Sequence, residues 1–148
     1  NPFGRNRSQF SDNMKSNLIL FTEKLKSMNV EFLSEPFDKV DLSKLNNEDF
    51  VYCDPPYLIT TGSYNDGNRG FKDWKEEEEI QLYKVLDELN KRKVKFALSN
   101  VIEHKGKENI LLKEWSKKYK TIYLTSDYSN SSYNTKRDKS IEVLIINY

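Results

Sequence analysis

The sequence has little of what holds disulfide-rich, metal-binding or membrane proteins together. Its 148 residues include one cysteine and one histidine, too few for an internal disulfide framework or a multi-cysteine zinc site. No apolar run approaches the roughly 20 residues of a membrane-spanning helix, and the first residues do not resemble a signal peptide. The length of 148 residues suits one domain. Only 36% of the residues are hydrophobic, so its core must be lean. We therefore expect a soluble, cytoplasmic globular domain with no membrane contact.

The net charge of +1 conceals an uneven distribution of charge along the chain. Residues 1–30 carry a net charge of +3, residues 31–90 carry −9 and residues 91–148 carry +7. A polyanion such as DNA would interact with the two basic ends more strongly than the net charge suggests. Lysine-rich helices are more often ordinary solvated surfaces, so the charge distribution by itself favours nucleic-acid binding only modestly.

Hydrophobic periodicity predicts an α/β fold. The predicted helices cover residues 14–28, 73–92 and 107–118. The predicted strands cover residues 30–33, 50–53, 94–98, 121–125 and 140–148. Ser11 or Asp12 can cap the first helix, and Asp73 can cap the second. Alternating strands and helices favour a sheet that is parallel in its middle. The last two strands should be antiparallel, because the polar segment 126–139 between them has no helical pattern.

The run Asp54-Pro55-Pro56-Tyr57 directly follows the predicted strand 50–53. Ligands of open α/β sheets bind beyond the carboxyl ends of strands, and Ser99-Asn100 also follows a predicted strand. The two prolines stiffen the run, so the Asp54 carboxylate and the Pro55 carbonyl can face one point, which suits an amino group with two N–H donors. The Tyr57 ring offers a surface on which a base can stack. The alternative is a proline-terminated turn without a chemical role.

The run Asp49–Tyr57 resembles the catalytic motif of the Dam-type DNA adenine-N6 methyltransferases. Residues 1–5 resemble the end of that family's DNA-recognition region, and residues 133–136 with 142–148 resemble its closing segment. The resemblance implies a partial Rossmann-like sheet of an S-adenosylmethionine-dependent methyltransferase. It assigns residues 1–13 to the end of the recognition region and residues 14–148 to the carboxyl-terminal part of the catalytic domain. The implied activity is site-specific DNA adenine methylation, as in restriction–modification systems or phages.

The resemblance also implies a role for each residue of the motif. Asp54 and the Pro55 carbonyl would hold the N6 amine of an adenine flipped out of the duplex, Pro56 would stiffen the loop, and Tyr57 would stack on the base. Asp54 would also lie beside the methionine part of S-adenosylmethionine. Phe37 falls where the family has an aromatic residue against the adenine of that cofactor. Many relatives have an aspartate before this aromatic residue, whereas this sequence has Pro36.

The glycine-rich turn with which the family embraces the cofactor, Phe-x-Gly-x-Gly, is absent from the sequence. We therefore expect the carboxyl-terminal half of a methyltransferase, which self-associates or binds a separate amino-terminal half at the edge beside strand 50–53. One alternative is an inactive remnant or split subunit that binds DNA or a partner without catalysis. Another is methylation of RNA or of a protein glutamine amide, although those families usually carry asparagine at the Asp54 position.

Double-stranded DNA is the partner that the resemblance implies. Arg5, Arg7, Lys136 and Arg137 lie in predicted loops and are candidates for contacts with DNA phosphates; ordinary exposed cations are the alternative. The glycine-containing loop 58–72 is expected to close over the target strand. Ser99 or Asn100 is a candidate to steady the Asp54–Tyr57 loop.

Three further features of the sequence favour structural or surface roles. His104 is expected to be a surface residue, since no cysteine or second histidine accompanies it as a metal ligand. Cys53 is expected to be an inert buried thiol. Residues 76–79, four consecutive glutamates, are typical of a solvated helix start, and we expect no metal site there.

Overall fold

The computed structural model of the chain describes residues 11–60, 74–124 and 140–148. The chain divides into two compact units, Asn1–Glu35 and Pro36–Tyr148. The helices are α1 (Asp12–Ser27), α2 (Glu76–Lys91) and α3 (Ile110–Ser116). The strands are β1 (Phe50–Cys53), β2 (Lys95–His104), β3 (Lys107–Glu108), β4 (Lys120–Leu124) and β5 (Ser140–Ile146). Within the described ranges, no helix is both long and apolar enough to cross a membrane.

The first unit contains α1, which begins where its cap is predicted. The Ser11 hydroxyl accepts a hydrogen bond from the Met14 backbone N–H at 3.2 Å, so Ser11 is the N-cap. The strand predicted over residues 30–33 is wrong, because the structure assigns no strand there. Val30 and Leu33 are exposed, so this short apolar run has neither a paired neighbour nor a buried face to support a strand. The division predicted at residue 13 concerns the DNA-recognition region and stays a prediction.

The second unit is built on a mixed five-stranded sheet. Four strands lie in the order β1-β2-β5-β4, and β3 pairs with the end of β2. β1 and β2 are parallel, whereas β5 is antiparallel to both β2 and β4. The antiparallel pairing of the last two strands is confirmed. The prediction of a parallel middle is wrong, because β5 lies between β2 and β4 and the central pairing, β2 with β5, is antiparallel.

β2 continues farther than its apolar run predicts. It pairs with β5 as far as His104↔Ser140, past a bulge between Val101 and Glu103. Ser99 and Asn100 therefore lie inside β2 rather than beyond its end, which corrects their predicted placement. His104 is half-buried at the strand end, and its Nδ1 lies 2.6 Å from the Ser140 hydroxyl. A two-residue turn then leads to β3.

Helix α2 covers one face of the sheet with an apolar stripe. Leu82, Tyr83, Leu86 and Leu89 are buried in one cluster with residues of β2, β5 and α3. Ile80, at the start of the same helix, lies outside this stripe and is 39% exposed. Asp73, the predicted cap, lies outside the described residues, and Lys75 occupies the N-cap position. The Glu78 carboxylate accepts a hydrogen bond from the Lys75 backbone N–H at 3.0 Å.

The connection from Pro36 to β1 has no regular helix or strand, and Arg92 holds it in place. Arg92 follows the last turn of α2. Its guanidinium donates hydrogen bonds to the backbone carbonyls of Leu42, Ser43 and Leu45. The side chains of Leu42 and Leu45 also pack against the core. One cation therefore fixes several residues of the segment that leads into β1.

Asp87 links α2 to α3 and to the residues that follow it. One carboxylate oxygen, Oδ1, accepts hydrogen bonds from Trp115 Nε1 at 2.9 Å and from the Tyr119 hydroxyl at 2.7 Å. The other, Oδ2, lies 2.6 Å from Lys118 Nζ. Burial acts to raise the pKa of Asp87, but the hydrogen bonds from Lys118, Tyr119 and Trp115 outweigh burial and hold the pKa below its ordinary value of 3.8.

We expect Asp87→Asn to lower the free energy of unfolding by about 1 kcal/mol at neutral pH, because the charged bond to Lys118 is lost. The folded pKa of Asp87 lies below the unfolded value, so the carboxylate stabilises the fold above the unfolded pKa. This stabilisation is lost as the pH falls through the folded pKa. Urea unfolding of both proteins at neutral pH and well below the ordinary aspartate pKa measures the difference, which should narrow in acid. A difference that is the same at both pH values contradicts the prediction.

Candidate functional site

The Asp54–Tyr57 run leaves the carboxyl end of β1, as the apolar run before it predicts. β1 pairs with β2 and is an edge strand among the described strands. Asp54 and Pro56 are exposed, whereas Pro55 and Tyr57 are half-buried. The run thus presents a carboxylate to solvent while two of its members are anchored against the protein.

Tyr57 is bonded to the carboxylate of the same run. Its hydroxyl donates a hydrogen bond to Asp54 Oδ1 at 2.9 Å. Its backbone carbonyl accepts a hydrogen bond from the Thr60 N–H at 2.9 Å. Burial raises the pKa of Tyr57 above its ordinary value, and the hydrogen bond to Asp54 and the charge of that carboxylate raise it further. Tyr57 therefore stays a protonated donor at neutral pH and orients Asp54.

Ser99 and Asn100 contact different parts of the protein. The Ser99 hydroxyl lies 2.8 Å from the Tyr52 hydroxyl, on the strand that leads to Asp54. Asn100 is buried, and its Nδ2 donates a hydrogen bond to Glu79 Oε1 at 2.9 Å. Consecutive residues of a strand point to opposite faces of the sheet, so the side chains of Ser99 and Asn100 lie on different faces. Ser99 is placed to steady β1, whereas Asn100 belongs to the network around Glu79.

Glu79 is the polar centre of the second unit, contrary to the prediction of a solvated helix start. Its side chain is 0% exposed. Glu79 lies three, four and seven residues before Leu82, Tyr83 and Leu86, which is the spacing of a buried helical stripe. That spacing is the signal that identifies Glu79 in the sequence, although the run of four glutamates favours an exposed helix start.

Four donors converge on the Glu79 carboxylate. Oε2 accepts a hydrogen bond from Trp74 Nε1 at 2.6 Å. Oε1 accepts hydrogen bonds from the Tyr83 hydroxyl at 2.6 Å, Asn100 Nδ2 at 2.9 Å and Asn109 Nδ2 at 3.1 Å. Burial raises the pKa of Tyr83, and the Glu79 charge raises it further. The network thereby joins α2 to β2 and to the N-cap residue of α3.

Phe37 lies at a cleft whose other aromatic residue is Trp74. The two ring centroids are 5.6 Å apart, and the ring planes are inclined by 50°. The cleft has a volume of about 330 Å³. Its lining residues are Pro36, Phe37, Asp38, Trp74, Glu77, Glu78 and Gln81. Two aromatic rings and a rim of carboxylates suit a flat base with amino donors or a ligand of positive charge.

The remaining predictions concern the phosphate contacts, the loop 58–72, a metal site and Cys53. Arg5, Arg7, Lys136 and Arg137, the predicted phosphate contacts, lie outside the described residues, as does most of the loop 58–72. In residues 11–60, 74–124 and 140–148, no group of three or more histidine, cysteine or acidic side chains is placed to hold a metal ion. Cys53 is half-buried, and burial raises its pKa to about 11. Its thiol is therefore almost wholly protonated at neutral pH and a poor nucleophile.

Comparisons with known proteins agree with the motif. A family model described as D12 class N6 adenine-specific DNA methyltransferase matches residues 1–130. The chain is 61% identical over 148 residues to the type II methyltransferase M.FokI of Planomicrobium okeanokoites. It is 54% identical over 150 residues to the modification methylase StsI of Streptococcus sanguinis, and 36% identical over 147 residues to the modification methylase LlaI of Lactococcus lactis subsp. lactis.

The similarity covers nearly all of this chain but a small part of each relative. The matches span 100%, 100% and 99% of the chain, and 23%, 23% and 22% of M.FokI, StsI and LlaI. The chain therefore spans less than a quarter of the length of these relatives.

Proposed function

Because the chain belongs to the D12 class of N6 adenine-specific DNA methyltransferases, we propose that it carries the amine-binding part of a site-specific DNA adenine-N6 methyltransferase. The observation that carries the proposal is the Asp54–Tyr57 run at the carboxyl end of β1. Asp54 is exposed there, and Tyr57 binds one of its two oxygens. Oδ2 of Asp54 has no hydrogen-bond partner within the described part of the chain, so it is available to a substrate donor.

The proposed chemistry uses two acceptors and one ring. The target adenine leaves the duplex, because its N6 amine is otherwise buried between stacked, paired bases. Asp54 and the Pro55 carbonyl accept hydrogen bonds from the two N–H groups of that amine. These bonds favour a more tetrahedral nitrogen, whose lone pair is then less delocalised into the ring. That lone pair would displace the methyl group from a sulfonium donor, whose carbon–sulfur bond breaks to leave a neutral thioether, and the methylated N6 cation would release a proton. Tyr57 stacks on the base, a contact typically worth about 1–3 kcal/mol, and Pro56 stiffens the loop.

S-adenosylmethionine is the methyl donor in this proposal. Asp54 would hold its methionine part, and Phe37 would bind its adenine. The cleft beside Phe37 supports this assignment, because it combines aromatic surface with hydrogen-bond acceptors. Pro36 replaces the aspartate found in many relatives, and the Asp38 carboxylate in the same cleft can accept a hydrogen bond from the adenine amino group.

The partners proposed for the chain are double-stranded DNA and a second polypeptide, which is either another copy of this chain or an amino-terminal methyltransferase half. Arg5, Arg7, Lys136 and Arg137 are proposed to contact DNA phosphates from the two basic ends of the sequence. Self-association or binding of an amino-terminal methyltransferase half is proposed at β1. Phe50 and Tyr52 of that strand are 54% and 56% exposed, which supports a pairing surface at the edge. A restriction–modification system in the cytoplasm is the proposed setting.

Transfer of a tritiated methyl group from S-adenosylmethionine to DNA tests the proposal. The substrate is a long duplex made by polymerase amplification, which carries no methyl groups and many sequences. The chain is assayed alone and together with the polypeptide encoded directly upstream. We expect label in N6-methyldeoxyadenosine after digestion to nucleosides, in at least one of the two preparations. Label in another base, in RNA alone, or in neither preparation contradicts the proposal and favours a subunit that binds without catalysing.

A further inference from the structure

Two aromatic rings meet at the cleft described above, and one of them is held by a buried charge. Trp74 is half-buried beside Phe37. Its indole Nε1 donates a 2.6 Å hydrogen bond to Glu79 Oε2. Glu79 is itself fully buried, and its other oxygen is occupied by three further donors. The carboxylate therefore cannot rotate without breaking several hydrogen bonds, and its bond to Nε1 restrains the orientation of the indole before any ligand binds.

We propose that Trp74 is a second adenine-binding residue of this enzyme, beside Phe37 in the same cleft, and that Glu79 is a positioning residue that orients its indole. This inference rests on the proposed function, since that function supplies the adenine. Preorganised aromatic surface raises affinity because less conformational freedom is lost when the base binds. An indole that is free to rotate would have to be ordered by each incoming ligand.

The charges around the cleft specify which adenine-containing ligand it accepts. Asp38, Glu77 and Glu78 line it together with the two rings. Carboxylates can accept a hydrogen bond from the adenine amino group and repel the phosphates of a nucleotide. The cleft should therefore bind S-adenosylmethionine and S-adenosylhomocysteine and discriminate against ATP.

The two tryptophans of the sequence make Trp74 observable. Trp115, the other one, stacks on Tyr83 with a centroid distance of 4.3 Å inside the core. We expect S-adenosylhomocysteine to quench the intrinsic fluorescence of the chain with saturation. The control variant Trp115→Phe should keep this quenching, and Trp74→Phe should lose it. ATP should cause no quenching of the wild-type chain.

Equilibrium dialysis with tritiated S-adenosylmethionine measures the affinity, in the chain alone and with the upstream polypeptide. Trp74→Ala should weaken binding roughly tenfold, the equivalent of one aromatic contact. Trp74→Phe, which keeps a ring, should recover most of that loss. Glu79→Gln should weaken binding less than Trp74→Ala does, and the KM for S-adenosylmethionine should rise more than kcat falls. A merely structural role would change stability and leave the KM unchanged. Trp74→Ala keeps the test decisive if Glu79→Gln fails to fold.

Different experimental results would overturn the role of Trp74 and the proposed methyltransferase function. Trp74→Ala binding as tightly as the wild type overturns the inference, and so does the absence of saturable wild-type binding in both preparations. If methyl transfer to DNA proceeds in either case, the proposed function stands. Binding that depends on Trp74 without any methyl transfer to DNA supports the inference and overturns the proposed function.

Discussion

Replacing Asp54 with alanine should lower the proposed methyl transfer to adenine by roughly 10²–10³-fold, the loss expected when a preorganised polar group of a catalytic site is removed. The free energy of unfolding changes by less than about 0.5 kcal/mol, as for most exposed positions. Asp54 is exposed, and its bond from Tyr57 is also exposed. We therefore expect the carboxylate to contribute to the proposed amine site far more than to the fold.

Three other variants serve as comparisons for the activity of Asp54→Ala. Glu48→Ala removes an exposed carboxylate six residues upstream and should leave methyl transfer unchanged. Tyr57→Phe keeps the ring and loses the donor to Asp54, so its loss should be smaller than that of Tyr57→Ala. Incorporation of tritiated methyl groups, in the preparation that is active, measures all four, and circular dichroism melting checks the folds. Full activity in Asp54→Ala contradicts the role assigned to the motif.

Replacing Glu79 with leucine should lower the free energy of unfolding by about 3–5 kcal/mol, because a charge-centred buried network loses its acceptor. The hydroxyl of Tyr83 and the amides of Asn100 and Asn109 would stay buried without their partner. Globular domains are stable by about 5–15 kcal/mol in total, so the variant is expected to be partly unfolded near physiological temperature.

Two further variants separate the network from the charge itself. Glu79→Gln keeps one acceptor oxygen and places an amide donor against another donor, so it should cost about 1–3 kcal/mol. Glu76→Gln, at an exposed position of the same glutamate run, should change stability by less than about 0.5 kcal/mol. Urea unfolding followed by circular dichroism measures the series. A Glu79→Leu variant within about 1 kcal/mol of the wild type would show that the network does not stabilise the fold.

Local features of the sequence predicted the parts of the molecule that local forces determine. β1 and the motif after it were predicted because an apolar run ends abruptly at Asp54-Pro55. The cap of α1 was predicted because a serine hydroxyl satisfies a backbone N–H at a helix start. The parallel pairing of β1 with β2 follows from the helix between them, which reverses the chain direction before the next strand begins.

The remaining features depend on residues far apart in sequence. β2 extends to His104 because β5 pairs along it, and no property of residues 99–104 alone requires that pairing. The antiparallel centre of the sheet arises from the insertion of β5 between β4 and β2, which periodicity does not encode. The burial of Glu79 is encoded by its position on the helix, whereas its residue type favours an exposed surface. Its burial is tolerable because four donors reach it, from Trp74, Tyr83, Asn100 and Asn109.

The hydrogen bonds of Arg92 constrain the distance that the irregular segment before β1 can span. Phe37 lies near the beginning of that segment and Asp54 just after the strand that follows it, and the guanidinium ties the backbone between them to the end of α2. If Phe37 and Asp54 hold opposite ends of one ligand, their separation must match its length. Insertions are ordinarily tolerated in connections without secondary structure. Here an insertion between Pro36 and Phe50 would change the length of ligand that the two residues can hold together.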